Sequence, residues 1–318
     1  MNILKFKNND EMPILGLGTW KSKPGEVYDA VHNAVKTGFR HIDCAAIYGN
    51  EKEIGAAFKD IFASGDIKRE DLWITSKLWN NAHKKEDVAQ ALQKTLDDLC
   101  LTYLDLYLVH WPVALKPDVV FPRSGNDFIS LEDLPLETTW EGMEACVEKG
   151  LTRHIGVSNF SIKKLDTLLQ TSRIQPEMNQ IELHPFLQQK DMLAFCEKNN
   201  ILLTAYSPLG SGDRPKALKQ KNEPSLLENQ VIKDIAAANQ CTPGQVLIRW
   251  SIERGTAVIP KSVNAGRIAE NFKALDMSLS KADMDKISEL DMHSRYVTGD
   301  FWTMSGSSYT FENLWDEA

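Results

Sequence analysis

The chain has 318 residues, 36 lysines and arginines against 44 aspartates and glutamates, and a net charge of −8 at neutral pH. The two signs are interspersed, which argues against the basic stripe of a nucleic-acid binder and against a polybasic membrane patch. No apolar run approaches membrane-spanning length, and the first residues (MNILKFKNND) lack a signal-peptide core. The five cysteines, Cys44, Cys100, Cys146, Cys196 and Cys241, are scattered without CxxC spacing, so reduced thiols in a cytoplasmic setting are expected.

Taken in chain order, the first strand-like run is Ile14 to Gly18. Seven more follow: Arg40 to Ala45, Leu72 to Leu78, Leu104 to His110, His154 to Ser158, Glu177 to Leu183, Ile201 to Tyr206 and Ala257 to Pro260. Segments of helical period separate them. Lys85 to Leu99, for example, puts Val88, Leu92, Leu96 and Leu99 on one face. Eight β/α units with no Pro/Gly/Ser-rich linker predict an α/β fold, a (β/α)8 TIM barrel spanning 1–318 as a single domain. A doubly wound open sheet is the rival reading. Two long Pro-containing loops, Phe121 to Leu136 and Ser207 to Leu227, come after strands, where barrels place specificity. Residues 294–318 form a tail expected to pack on or near the barrel mouth.

Several motifs fail. Gly16-Leu17-Gly18-Thr19-Trp20-Lys21 begins like GxGxxG but ends in lysine, so it is not a dinucleotide-binding fingerprint. Gly156-Val157-Ser158-Asn159-Phe160 misses the nucleophile elbow at its last residue, and neither a Walker A sequence nor HExxH occurs. Serine hydrolase chemistry and a metal site are both disfavoured.

What remains lies at the strand ends. Asp43 with Tyr48, then Lys77, then His110 each sit at or just beyond the end of a strand-like run. A phenol, an ammonium, a carboxylate and an imidazole can together protonate a carbonyl oxygen while hydride arrives at its carbon. Singly, each has an ordinary structural explanation: a packing tyrosine, an Asp–Lys pair, a core histidine. Four polar groups at neighbouring strand ends are costly to bury for stability alone.

Seven pieces, in order, carry a resemblance: GFRHIDCAAIYGNEKEIG (Gly38 to Gly55), ITSKLW (Ile74 to Trp79), YLVHWP (Tyr107 to Pro112), IGVSNF (Ile155 to Phe160), NQIELHP (Asn179 to Pro185), AYSPLGS (Ala205 to Ser211) and IPKSV...RIAEN (Ile259 to Asn271). From about Pro13 to Leu290 the chain resembles the aldo-keto reductases, in particular their aldose and aldehyde reductase branch. The resemblance implies the barrel, NADPH/NADP+ as cofactor without a Rossmann domain, and reduction of aldehydes or ketones to alcohols, aldoses among them.

It also implies roles. Tyr48 is the general acid; a phenol of ordinary pKa near 10 needs help to give up its proton, and Lys77 beside it favours the phenolate. Asp43 pairs with Lys77, and His110 orients the carbonyl oxygen. Tyr206 stacks on the nicotinamide, while Ser158, Asn159 and Gln180 bond its carboxamide. Gly18, Thr19 and Trp20 are further cofactor contacts, and Ser207, Leu209 and Ser211 lie on the pyrophosphate loop. Lys261, Ser262, Val263 and Arg267 match the 2′-phosphate pocket, with Glu270 and Asn271 near the adenine. Lys21 and Asp213 match a pair that closes over the pyrophosphate, although two independent surface charges read almost as well.

Trp20, Trp79, Trp111 and Phe121 form the implied aromatic substrate pocket. The chain departs from the family at Lys216, where many relatives carry tryptophan, and along the tail from Arg295. Lys216 and Arg295 raise an acidic sugar or keto-acid substrate, and Tyr296, Phe301 or Trp302 are candidates to line the mouth. No nucleic acid, membrane or obligate protein partner is implied. The rival from another class is an NADPH-sensing regulatory protein on the same barrel. An isomerase or hydrolase using Asp43 and His110 would leave Tyr48, Lys77 and the Lys261/Arg267 pocket without a task.

Overall fold

The structure, a computed structural model, describes residues 2–215, 219 and 221–316. Eight strands make up one sheet: β1 (Leu17–Gly18), β2 (His41–Asp43), β3 (Trp73–Leu78), β4 (Leu104–Val109), β5 (Thr152–Ser158), β6 (Met178–Glu182), β7 (Leu202–Tyr206) and β8 (Ala257–Val258). Their spatial order is their chain order. The last strand returns to the first: Gly16 N–H donates to Val258 O, Val258 N–H to Ile14 O, and Gly18 N–H to Pro260 O. Sequential order with that closure gives a (β/α)8 barrel and removes the doubly wound alternative, whose order would reverse partway.

The strands are close to the expected runs, with shorter ends. β8 stops at Val258 because Pro260 has no N–H to continue a ladder, though its carbonyl still serves Gly18. β3 and β4 are buried along their whole length, as parallel strands covered on both faces must be. The first helix after Gly18 starts only at Glu26, so no helix N-terminus abuts the glycine pair.

The chain folds as two compact units. One comprises 1–43, 180–197 and 202–298. It opens with an antiparallel hairpin, Ile3–Lys5 with Glu11–Pro13, and holds β1, β2, β6, β7 and β8. Helix Glu26–Thr37 buries Val27, Ala30, Val31, Ala34 and Val35. Helix Pro243–Glu253 starts with a capping box, in which Thr242 Oγ1 accepts from Gln245 N–H and the Gln245 side chain accepts from Thr242 N–H.

The second unit comprises 44–179, 198–201 and 299–318, with β3, β4 and β5. Helix Lys85–Leu99 has the bounds its periodicity predicts and buries Val88, Leu92, Leu96 and Leu99. It lies so close to helix Glu51–Ala63 that a Cβ at Gly55 would collide with Asp98 O and sit 2.7 Å from Leu99 C. The buried Asp105 of β4 accepts from Ile74 N–H (2.9 Å), Arg69 (2.7 Å) and Arg153 (3.1 Å), which satisfies an interior charge. No helix among the described residues is long and apolar enough to cross a membrane.

Candidate active site

In the second unit, β3 and β4 end side by side and deliver Lys77 and His110. Lys77 pairs in register with Leu108, and His110 N–H donates to Leu78 O at 3.1 Å. Lys77 is buried and its Nζ donates to the Cys44 carbonyl at 2.9 Å. Tyr48 ends the single 3-10 turn Ala46–Tyr48, which Gly49 terminates in the left-handed region (φ 69°). That turn brings the Tyr48 ring near both groups. Lys77 Nζ lies 5.3 Å from the Tyr48 ring centroid, and the His110 ring stands edge-on to it at 5.9 Å.

Burial holds the His110 pKa well below 6.5, with the Lys77 charge and His83 acting in the same direction. The imidazole is therefore neutral at physiological pH. The backbone around it is fixed from β5: Asn159, left-handed at φ 64°, donates Nδ2 to His110 O (2.9 Å) and contacts Ser158 Oγ (3.2 Å).

Trp79 stands edge-on to His110 at 5.3 Å and to Phe121 at 6.0 Å, and its Nε1 donates to Val120 O. Phe121 is largely exposed, whereas Trp79 and Trp111 are buried. The tail completes this cluster. Trp302 packs at 5.8 Å from both Trp79 and Trp111, and Phe301 and Trp315 stand edge-on to Trp111. Trp302 is 1% exposed and works as filling, while Phe301 is partly open. Tyr309 is woven in more deeply: its hydroxyl donates to Ile129 O and accepts from Ala114 N–H, bridging the short hairpin Ala114–Leu115 with Phe128–Ile129.

In the first unit, β2 ends on Asp43, which is 1% exposed and accepts from Gln180 Nε2 of β6 at 2.7 Å. Thr19 Oγ1 donates to the Asp43 carbonyl. Tyr206 ends β7 and leads into Ser207, left-handed at φ 51°. Lys21 and Asp213 meet, and Lys21 Nζ also donates to Ser211 Oγ at 2.6 Å while lying 4.4 Å over the Trp20 ring. Burial lowers the Lys21 pKa and the Asp213 carboxylate opposes that shift. Lys261 is a second cation on the same carboxylate (3.5 Å), and its Nζ donates to Lys21 O. Sequence reasoning paired Asp213 with Lys21 alone and missed this partner.

Past β8, Ser262 Oγ lies 3.5 Å from Arg267 Nε, and Asn264 Oδ1 caps helix Ala265–Phe272 by accepting from Arg267 N–H. Ser262 and Arg267 thus meet at the start of this helix, while the Lys261 ammonium is held on Asp213 and Lys21 O. Glu270 accepts from Thr242 Oγ1, and Asn271 is buried. Tyr296 is held in this unit, its N–H on Glu182 and its hydroxyl donating to Pro224 O, with the Arg214 guanidinium 5.0 Å over its ring. Arg295 is half-buried, and Lys216 lies outside the described residues.

Strand ends of the second unit thus carry a lysine and a neutral histidine beside the Tyr48 phenol, and β2 of the first ends on a buried carboxylate. Residues 14–292 match the Aldo/keto reductase family. The chain belongs to that family and is an oxidoreductase. It is 57% identical over 317 residues to an aldo/keto reductase of Synechocystis, covering 100% of this chain and 97% of the relative. It is 46% identical to aldo-keto reductase family 1 member A1 of Gallus gallus, over 91% of this chain and 89% of the relative. Among solved structures, the aldose reductase from Schistosoma japonicum superposes with a TM-score of 0.85 at 39% identity, covering 94% of this chain and 97% of that one.

Proposed function

We propose that this chain is an NADPH-dependent carbonyl reductase that converts small aldehydes, aldoses among them, to alcohols. The observation that carries the reading is the Tyr48 phenol flanked by the Lys77 ammonium and a neutral His110 beside an aromatic wall. When bound, NADPH supplies a hydride to the carbonyl carbon. Tyr48 gives its proton to the carbonyl oxygen, so C=O becomes CH–OH, and Lys77 stabilises the phenolate left behind. Asp43 has the task of holding the Lys77 ammonium. His110, neutral through burial, orients the carbonyl oxygen, and Trp20, Trp79, Trp111 and Phe121 hold the carbon chain.

The donor set suits this cofactor. Two cations and a hydroxyl within seven residues of the chain, Lys261, Ser262 and Arg267, the last two in contact, suit a dianionic phosphate, and a guanidinium can engage it through two parallel N–H bonds. Lys21 and Lys261 meeting on Asp213 support a belt that closes over a pyrophosphate. Tyr206, Ser158, Asn159 and Gln180 would hold the nicotinamide end, Gly18, Thr19, Ser207, Leu209 and Ser211 the middle, and Val263, Glu270 and Asn271 the adenosine end.

The test is aldehyde-dependent loss of NADPH absorbance across aldoses, uronates, keto acids and aromatic aldehydes, with NADPH and NADH affinities measured separately. Turnover of simple aldehydes with NADPH preferred supports the reading. Tight NADPH binding with no turnover of any carbonyl would overturn it in favour of a nucleotide sensor.

A further inference from the structure

We propose that the C-terminal helix Phe311–Trp315 and Asp316 form a clamp that positions His110 and Asn159, with Lys164 and Ser161 as its receiving groups. The effect on rate rests on the reductase reading above; the mechanical coupling does not.

The clamp has a receiving side at the end of β5. Lys164 is buried, and its ammonium has three acceptors in the C-terminal segment: the Asp316 carboxylate, Asn313 O at 2.7 Å and Leu314 O at 3.1 Å. Two of these are terminal helix carbonyls, which have no partner inside a helix, and a cation there also suits the helix dipole. Ser161 Oγ donates to the same Asp316 carboxylate at 2.6 Å while accepting from Lys164 N–H as the cap of helix Ile162–Thr171. Lys163 adds a longer contact to Asp316 at 3.6 Å. Asp316 itself is left-handed (φ 52°), so the chain turns at this point to present its carboxylate.

The other side of the clamp is aromatic. Trp315, next to Asp316, stands edge-on to Trp111 at 5.8 Å, and Trp111 follows His110 directly. Trp111 and Trp315 also meet across Gly299, where a Cβ would lie 3.4 Å from Trp315 and 3.5 Å from Trp111. The two sides converge on one group. Asn159, two residues before Ser161, holds the His110 carbonyl through Nδ2, while Trp315 bears on the residue after His110. A buried ammonium carrying three acceptors fixes the Asn313 and Leu314 carbonyls and the Asp316 carboxylate at one point, which suits two strand-end turns that must keep register with each other.

The test uses Lys164→Met, Asp316→Asn and the double variant in the full chain, with Lys164→Arg as the conservative control. Hydrogen exchange of 311–316 and of 159–164 is read alongside kcat for one small aldehyde and the Kd for NADPH. Both segments should lose protection together in each single variant, with the double variant no worse than the worse single. A displaced His110 should lower kcat by roughly tenfold or more, the NADPH Kd should rise with it because Asn159 is also assigned to the nicotinamide, and Lys164→Arg should recover part of kcat. Loosening of 311–316 alone, or joint loosening with kcat unchanged, would overturn the proposal. If the wild type turned over no carbonyl, the reductase reading would fall and the exchange data would still decide the coupling.

Discussion

Glu51→Gln should remove a pH-dependent weakness from the fold. Glu51 is buried in the second unit, where Ser76 Oγ donates to Oε1 at 2.6 Å and Thr95 Oγ1 to Oε2 at 3.1 Å. Burial raises its pKa from 4.5 to about 7, and neither the two hydroxyls nor the Lys77 charge offsets it. Because the folded value is the higher one, the native state keeps a proton that the unfolded chain has released. The associated stability is full below pH 4.5, declines as pH rises toward about 7, and is gone above that. At about 1.36 kcal/mol per pH unit, the interval amounts to about 3 kcal/mol. Glutamine cannot ionise and retains an acceptor for one hydroxyl. Urea unfolding of both proteins at pH 5 and pH 8 should therefore show the variant gaining about 2–3 kcal/mol on the wild type between the two pH values, part of the loss having already occurred by pH 5. The difference between the proteins cancels titrations common to both. A gap that does not change with pH would mean that Glu51 is ionised at pH 5, held as a carboxylate by Lys77, and would refute the argument.

Three other outcomes are expected. Arg267→Ala should weaken NADPH by about tenfold or more, the value of one charge-assisted contact at about 1.5–3 kcal/mol, and leave NADH nearly unchanged in parallel titrations, whereas Lys261→Ala should weaken both cofactors, NADPH the more. Gly55→Ala should cost about 1–3 kcal/mol in urea unfolding, because the added methyl meets backbone atoms of the facing helix, which cannot rotate away. The rate with a simple aldehyde should not fall as the pH is lowered from 8 to 6 through protonation of His110, whose pKa burial holds well below that range; a loss centred near pH 6.5 would contradict this.

Much of the site was readable because it sits where strands end. The run LDLYLVH marks β4 by its apolar density, and the polar residue that ends it is then conspicuous. Helix Lys85–Leu99 was legible for a similar reason: its apolar spacing has one period. What stayed hidden depends on partners far apart in the chain. Nothing local marks Lys164 as the partner of Asp316, or Lys261 as a second partner of Asp213. The tail shows another limit. Aromatic residues that line a mouth and those that fill a core look alike in sequence, and only the fold shows Tyr296 and Trp302 packed and Phe301 partly open. Glu51 lies in full view within GNEKEIG, yet a glutamate in the first turn of an amphipathic helix reads as solvated.

The central claim, that Tyr48 supplies the proton, is tested most directly by Tyr48→Phe. The substitution removes one oxygen and keeps the ring against Lys77 and His110. The account predicts that aldehyde reduction falls by at least two orders of magnitude, on the scale of a lost general acid, while NADPH titration by tryptophan fluorescence gives an affinity within about twofold of wild type. Turnover within a few-fold of wild type, with the cofactor bound, would contradict it.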